Sequence, residues 1–167
     1  WCGMGRAASV KTYDAAMRRA MEVSLSGPAV GTNTQVGAVI LDSTGLVVSE
    51  GWHKGAVSDH AEVMALEHFA ENFPGVSLTN HTAVVTLEPC NHVGRTGPCA
   101  LALIEAGVSR VIFASADPGD QSSQGSRTLK DAGIEVIPGV LLKQAEEQNR
   151  VWLVSKRLGR PFVTLKW

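Results

Sequence analysis

The sequence has few cysteines, no long hydrophobic run and no excess of charge of one sign. Its three cysteines among 167 residues are too few for a disulfide scaffold and give no support to secretion. The longest apolar runs, such as Val36 to Leu41, are far too short to cross a bilayer. A formal net charge of −1 argues against a surface that binds nucleic acid throughout. We therefore expect a cytoplasmic protein without a membrane or nucleic-acid partner.

The sequence does contain enough apolar residues for a core. Hydrophobic residues make up 44% of the chain and charged residues 19%, a balance typical of a folded protein. The length corresponds to one compact domain. From Arg150 to Trp167 the chain carries five basic residues and no acidic ones. For this segment we favour a solvated helix face and tail over a partner-binding patch.

Helical and strand patterns alternate along the chain. Thr12 is predicted to cap the first helix, and the Gly27-Pro28 pair to end it. The alternation predicts a three-layer α/β/α fold, with a mixed sheet of about five strands that starts with an antiparallel hairpin. The strands are predicted at 36–41, 46–52, 82–87, 110–114 and 134–137. The later helices are predicted at about 60–73, 98–106 and 140–158, with a short helix before the strand at 134–137. One more strand is predicted to begin at Phe162.

Three short motifs combine residues that bind metals. His60-Ala61-Glu62 opens a helix, Pro89-Cys90 follows a strand, and Cys99 opens the next helix. Zinc binds imidazole nitrogen and thiolate sulfur, and a catalytic zinc keeps three protein ligands with a fourth position open to water. Helix N-termini stabilise thiolates, the form of cysteine that binds metal. We predict that His60, Cys90 and Cys99 bind Zn²⁺.

Glu62 is better suited to carrying protons than to binding the metal. A His-x-Glu followed by Pro-Cys and a further Cys is typical of zinc nucleobase deaminases, in which the glutamate is the general acid and base. Here Cys90 and Cys99 are nine positions apart, which is further than in the usual Cys-x-x-Cys pair. Two alternatives stay open: a closed structural zinc site with His92 as fourth ligand, and buried cysteines beside an unrelated surface His and Glu.

The loop between the cysteines carries a family resemblance. Residues 86–99, Thr-Leu-Glu-Pro-Cys-Asn-His-Val-Gly-Arg-Thr-Gly-Pro-Cys, resemble the signature of the deaminase domain of the bacterial bifunctional riboflavin biosynthesis enzymes, the RibD/RibG family. The resemblance covers the chain from Tyr13 onward and implies the cytidine-deaminase-like fold. Further matching segments are 33–37, 51–53, 60–63 with 65–66, 106–108 with 110–111, and 131–136.

The resemblance implies zinc-dependent hydrolytic deamination of 2,5-diamino-6-ribosylamino-4(3H)-pyrimidinone 5′-phosphate, a small phosphorylated ribosylaminopyrimidine of riboflavin biosynthesis. Carried over by position, His60, Cys90 and Cys99 bind zinc, and Glu62 passes a proton to the ring nitrogen and then to the departing ammonia. The Arg95 guanidinium suits the 5′-phosphate, since it can donate two hydrogen bonds to it. The positions of the family's substrate contacts are Asn33, His53, Ala61, His92 and Arg95.

The resemblance also predicts the domain organisation. Residues 1–11 are an N-terminal extension, 12–150 the zinc-dependent deaminase domain, and 151–167 the end of the last helix and a connector. Residues 160–166 resemble the segment that enters the NADPH-dependent reductase half of the bifunctional enzymes. We expect no NADPH binding by this chain itself, and a homo-oligomer, a dimer or higher.

The chain departs from the family pattern at three places. Thr34-Gln35 replaces a proline-containing turn, 119–125 is a polar loop of unusual sequence, and Met64 stands where a second histidine is common. Two other functions compete with the leading one. The first is a zinc deaminase acting on another amino-pyrimidine or amino-purine nucleoside, nucleotide or base. The second is a non-catalytic zinc-binding assembly module, which Glu62 argues against because a structural zinc site needs no proton carrier.

Overall fold

A mixed five-stranded sheet lies between two groups of helices. The structure, a computed structural model, describes residues 5–28, 34–55, 58–91, 97–119 and 124–160, with the backbone alone for 5–12. The strands are β1 (Gly37–Leu41), β2 (Val47–Trp52), β3 (Thr82–Leu87), β4 (Arg110–Ser115) and β5 (Glu135–Pro138). The helices are α1 (Gly5–Ser24), α2 (Ala61–Asn72), α3 (Cys99–Ala106), α4 (Gly125–Asp131), α5 (Leu142–Gln148) and α6 (Arg150–Leu158).

The strand order in the sheet is β2-β1-β3-β4-β5. β1 is antiparallel to β2 and to β3, while β3, β4 and β5 are parallel. Gly37, the first residue of β1, therefore lies opposite Trp52 at the end of β2, and its N–H donates to Thr86 Oγ1 near the end of β3. The start of β1 and the ends of β2 and β3 meet at one edge of the sheet. The predicted fold class and antiparallel hairpin are confirmed.

Two apolar clusters fill the space on the two faces of the sheet. Ala38 and Ile40 of β1 belong to the cluster under α2 and α3, whereas Val39 and Leu41 belong to the cluster under α1 and α5. This alternation follows from the period of two residues in a strand, and it explains why β1 is apolar throughout. Within the described residues, no helix is long and apolar enough to span a membrane.

The first predicted helix boundary is wrong. α1 begins at Gly5, so Thr12 lies inside the helix and is not its N-cap. Ala7 and Ala8 are strong helix formers, and they extend the helix to the N-terminal side of the predicted cap. The domain boundaries stay predictions, and the strand predicted from Phe162 lies outside the described residues.

The last predicted helix, 140–158, is two helices. α5 and α6 meet at Asn149, whose backbone has φ −102° and ψ 19°. The Asn149 side-chain amide forms two hydrogen bonds with the main chain of Gln35. Its Oδ1 accepts from the Gln35 N–H at 3.0 Å, and its Nδ2 donates to the Gln35 carbonyl at 2.9 Å. This contact joins residues 114 positions apart, so helical periodicity could not indicate the break.

Candidate active site

The candidate site lies at the sheet edge where β3 ends. Cys90 follows β3 after Glu88-Pro89, His60 immediately precedes α2, and Cys99 is the first residue of α3. His60 Nδ1 lies 3.1 Å from Cys99 Sγ and 3.5 Å from Cys90 Sγ. The structure thus brings the three predicted ligands together at the ends of separate elements.

The spacing and chemistry of this cluster fit a tetrahedral zinc ion. The ligand atoms of His60, Cys90 and Cys99 all lie within 4.8 Å of one another. With Zn–N about 2.0 Å and Zn–S about 2.3 Å, nitrogen and sulfur ligands lie about 3.5 Å apart. Among the described residues, this is the one group of three or more potential ligands that could hold a metal ion.

The N-terminus of α3 explains how the two cysteines meet despite their separation. The N–H of Cys99 donates to Cys90 Sγ at 3.4 Å, and the N–H of Ala100 donates to the Cys90 carbonyl at 3.2 Å. The first N–H groups of a helix have no partner within the helix and attract negative charge. The chain therefore returns to α3 with Cys90 held against its first turn.

The two thiols ionise very differently. A hydrogen bond with the Cys99 thiol, above all, lowers the pKa of Cys90 to about 4, and His60 acts in the same direction. That same hydrogen bond, and then burial, raise the pKa of Cys99 well above its usual range. A second thiolate beside the first is unfavourable until a cation neutralises the pair, so this donor set suits a divalent metal ion.

Glu62 is a buried carboxyl group in the first turn of α2, with 4% of its surface exposed. Burial raises its pKa to about 7, opposed in part by its own backbone N–H and by His60. The buried side of α2 combines Ala61, Ala65 and Phe69 with Glu62. A carboxyl group thus lies next to the cluster and is shielded from bulk water.

Gly51 explains why the N-terminus of α2 lies so close to the sheet. A Cβ atom at this position of β2 would overlap the Ala61 carbonyl oxygen and the Ala65 backbone nitrogen. Only glycine permits this approach of strand and helix backbones without displacement. Gly51 therefore helps to position His60 and Glu62.

Of the predicted substrate contacts, His53 is at the site. Its ring meets the His60 ring edge-on, with centroids 5.6 Å apart, and burial lowers its pKa. Ala61 is fully buried between His60 and Glu62. Asn33, His92 and Arg95 lie outside the described residues.

Glu88 is a buried residue near the site that the sequence analysis missed. Its carboxylate accepts hydrogen bonds from the N–H groups of Ser126 at 3.1 Å and Asp117 at 3.4 Å. It thereby connects the end of β3 with the second residue after β4 and with the start of α4. An acidic residue at the end of an apolar strand is the signal that could have identified it.

Comparisons with known proteins agree with this geometry. The family model for the cytidine and deoxycytidylate deaminase zinc-binding region matches residues 10–115, a range that contains His60, Glu62, Cys90 and Cys99.

The chain belongs to this deaminase family.

Relatives within the family include riboflavin biosynthesis proteins. The chain is 47% identical over 152 residues to the riboflavin biosynthesis protein RibD of Haemophilus influenzae, covering 90% of this chain and 39% of that protein. It is 40% identical over 147 residues to the diaminohydroxyphosphoribosylamino-pyrimidine deaminase of Buchnera aphidicola subsp. Acyrthosiphon pisum, covering 87% of this chain and 96% of that protein. The resemblance to the RibD family is thus confirmed.

A solved structure shares the fold. The diaminohydroxyphosphoribosylaminopyrimidine deaminase/5-amino-6-(5-phosphoribosylamino)uracil reductase of Thermotoga maritima superposes with a TM-score of 0.87 at 35% identity, covering 92% of this chain and 44% of that one. The chain spans about two fifths of the length of the RibD proteins of Haemophilus influenzae and Escherichia coli.

Proposed function

We propose that this chain removes an exocyclic amine by hydrolysis from 2,5-diamino-6-ribosylamino-4(3H)-pyrimidinone 5′-phosphate. The main support for this proposal is the His60-Cys90-Cys99 cluster with the buried carboxyl group of Glu62 beside it. The similarity to the Buchnera deaminase, which extends over nearly all of that protein, supports this substrate.

In this proposal His60, Cys90 and Cys99 hold zinc. When bound, zinc lowers the pKa of a coordinated water to near neutrality and so supplies the nucleophile. Glu62 would accept the proton that the water loses and donate it to the ring nitrogen. It would then take a second proton from the hydroxyl group added to the ring carbon and donate it to the amine, which departs as ammonia. Burial of Glu62 favours this role, because an internal carboxyl keeps the proton from exchanging with bulk water.

Substrate recognition completes the proposal. His53 contacts the substrate next to His60, and Asn33, Ala61, His92 and Arg95 are further contacts, with Arg95 on the 5′-phosphate. The substrate is a small molecule rather than a nucleic acid, and the reaction takes place in the cytoplasm. We also propose that the chain assembles as a homo-oligomer, and that residues 151–167 form the end of the last helix and a connector.

A substrate panel tests the function. The zinc-loaded chain is incubated with the diaminopyrimidinone ribosyl phosphate, its dephosphorylated form, deoxycytidylate, cytidine and an adenosine-containing RNA hairpin, and ammonia is measured. We expect ammonia from the first compound, with kcat/KM lower by about tenfold or more for the dephosphorylated form. No ammonia from the first compound would overturn the proposal. Preference for deoxycytidylate would leave the deamination chemistry standing but overturn the substrate assignment.

A further inference from the structure

Asn149 joins the α5–α6 junction to the segment that enters β1. Its Oδ1 accepts the Gln35 N–H at 3.0 Å, and its Nδ2 donates to the Gln35 carbonyl at 2.9 Å. The side-chain amide therefore pairs with the N–H and the C=O of one residue, as a residue of a neighbouring antiparallel strand would, and both of these hydrogen bonds are partly buried. Two such bonds define both the position and the orientation of the Gln35 main chain.

The same segment is fixed from a second side. The Gln35 side chain donates from Nε2 to the Gly27 carbonyl at 3.2 Å, just beyond α1. This is the place where the sequence lacks the proline turn of the family pattern. Hydrogen bonds to Gln35 restrain the main chain here, as a proline ring would by restricting φ.

The segment leads directly to the candidate site. The carbonyl of Val36, next to Gln35, accepts the N–H of His53 at 3.0 Å. The His53 ring in turn lies edge-on to the ring of His60. A continuous series of contacts therefore runs from Asn149 through Gln35 and Val36 to His53, and from His53 to His60 of the His60-Cys90-Cys99 cluster.

We propose that Asn149 is a positioning residue of the active site. By holding the main chain of Gln35 and Val36, it keeps the His53 ring edge-on to the His60 ring. The inference rests on the proposed function, since the contact between His53 and substrate belongs to that function. Asn149 itself does not touch the reacting atoms. It acts through the main chain that carries His53.

The test compares Asn149→Ala with the matched control Gln148→Ala. Gln148, the preceding residue, also uses a partly buried side-chain amide, but it donates to Ser24 Oγ and the Met21 carbonyl on α1. Each variant is measured for zinc content, for kcat and KM with the diaminopyrimidinone ribosyl phosphate, for hydrogen exchange of the Gln35 amide, and for the NMR signals of the His53 ring. Asn149→Asp is included because it keeps the acceptor for the Gln35 N–H and loses the donor.

For Asn149→Ala we expect a full zinc content and a KM raised by about tenfold or more, with a smaller change in kcat. Hydrogen exchange of the Gln35 amide should be faster, and the NMR signals of the His53 ring should shift. Asn149→Asp should fall between this variant and the wild type, and it replaces Asn149→Ala if that variant does not fold. Gln148→Ala should lower the unfolding temperature without changing KM or the His53 signals. An Asn149 variant with wild-type KM and wild-type His53 signals would overturn the inference. If the wild type releases no ammonia, the proposed function fails, while the exchange and NMR measurements still decide whether Asn149 positions His53.

Discussion

Glu62 is the residue whose substitution should separate metal binding from turnover. Glu62→Gln keeps the size of the side chain but removes its ability to accept a proton. Because Glu62 is not one of the clustered ligands, we expect a full zinc content and a kcat lower by about a hundredfold or more. Zinc analysis and ammonia release on the same sample provide the measurement. Glu67→Gln, at an exposed position of the same helix, is the matched control, and a Glu62→Gln variant with wild-type turnover would exclude Glu62 from the mechanism.

Cys99 should show the opposite behaviour, with metal, stability and activity lost together. Cys99 is fully buried, and its sulfur is one of the three clustered ligand atoms. Cys99→Ser replaces a proposed zinc ligand with a hydroxyl that binds zinc poorly, so added zinc should no longer raise the unfolding temperature. Thermal unfolding with and without zinc measures this effect, with chelator-treated wild type as the reference. A Cys99→Ser protein that still binds one zinc ion and is stabilised by it would show that Cys99 is not a ligand.

At the residue scale, the sequence predicts a functional residue when the groups that act together lie close to one another along the chain or in recognisable motifs. His60 and Glu62 lie in one short motif, and the two cysteines belong to recognisable helix and strand ends, so their residue types predict the chemistry. Asn149 and Glu88 act through hydrogen bonds to main-chain groups far away in sequence, and Glu88 meets Ser126 across 38 positions. A pattern read along the chain does not contain such partners.

At the scale of elements, the contact of β2 with α2 determines where the site residues lie. Gly51→Ala would introduce a Cβ that overlaps the backbone of Ala61 and Ala65. The strand and helix must then separate, which should lower the free energy of unfolding by about 1–3 kcal/mol.

Denaturant unfolding measures the effect of Gly51→Ala. The control is Gly97→Ala, at a glycine where an added Cβ meets no atom within 4 Å. We expect the control to change stability by less than about 0.5 kcal/mol. A Gly51→Ala protein as stable as this control would contradict the close packing of the two backbones.

The elements also show which boundaries a sequence predicts. β3 is predicted at its observed limits, 82–87, because a fully buried β-rich run is bounded by polar residues on both sides. α3 ends as predicted at Ala106, since Gly107 adopts the left-handed conformation with φ 79° that ends helices. The break between α5 and α6 was not predicted; at this point Asn149 pairs with Gln35, which is 114 positions away, and no local pattern contains such a contact.

At the scale of the whole molecule, Glu88 connects three elements around the site. Its carboxylate accepts from Asp117 and from Ser126, and its N–H donates to the Ser115 carbonyl at 2.8 Å. In Glu88→Gln, an amide NH₂ would face one of these N–H donors and the charged acceptor would be lost. We expect the free energy of unfolding to fall by about 1–3 kcal/mol.

Denaturant unfolding also checks the Glu88 prediction. Glu105→Gln, at an exposed position of α3, is the control and should leave stability unchanged. If Glu88→Gln and Glu105→Gln unfold at the same denaturant concentration as the wild type, the buried carboxylate does not stabilise this junction.

The topology of the sheet assembles the site, and only part of that topology was predictable. The alternation of strands and helices predicts the layers and the hairpin. It does not give the order β2-β1-β3-β4-β5, which depends on how the strands pair in three dimensions. That order brings His53, after β2, and Cys90, after β3, to the edge where β1 begins.

The central claim is that a zinc ion held by His60, Cys90 and Cys99 makes this chain a deaminase. Titration of the metal-free chain with zinc, with ammonia release from the diaminopyrimidinone ribosyl phosphate as the readout, tests this claim most directly. We predict that activity is absent without metal and rises in proportion to added zinc until there is one ion per chain. Full activity in the metal-free chain, or no ammonia when one zinc ion is bound per chain, would contradict the claim.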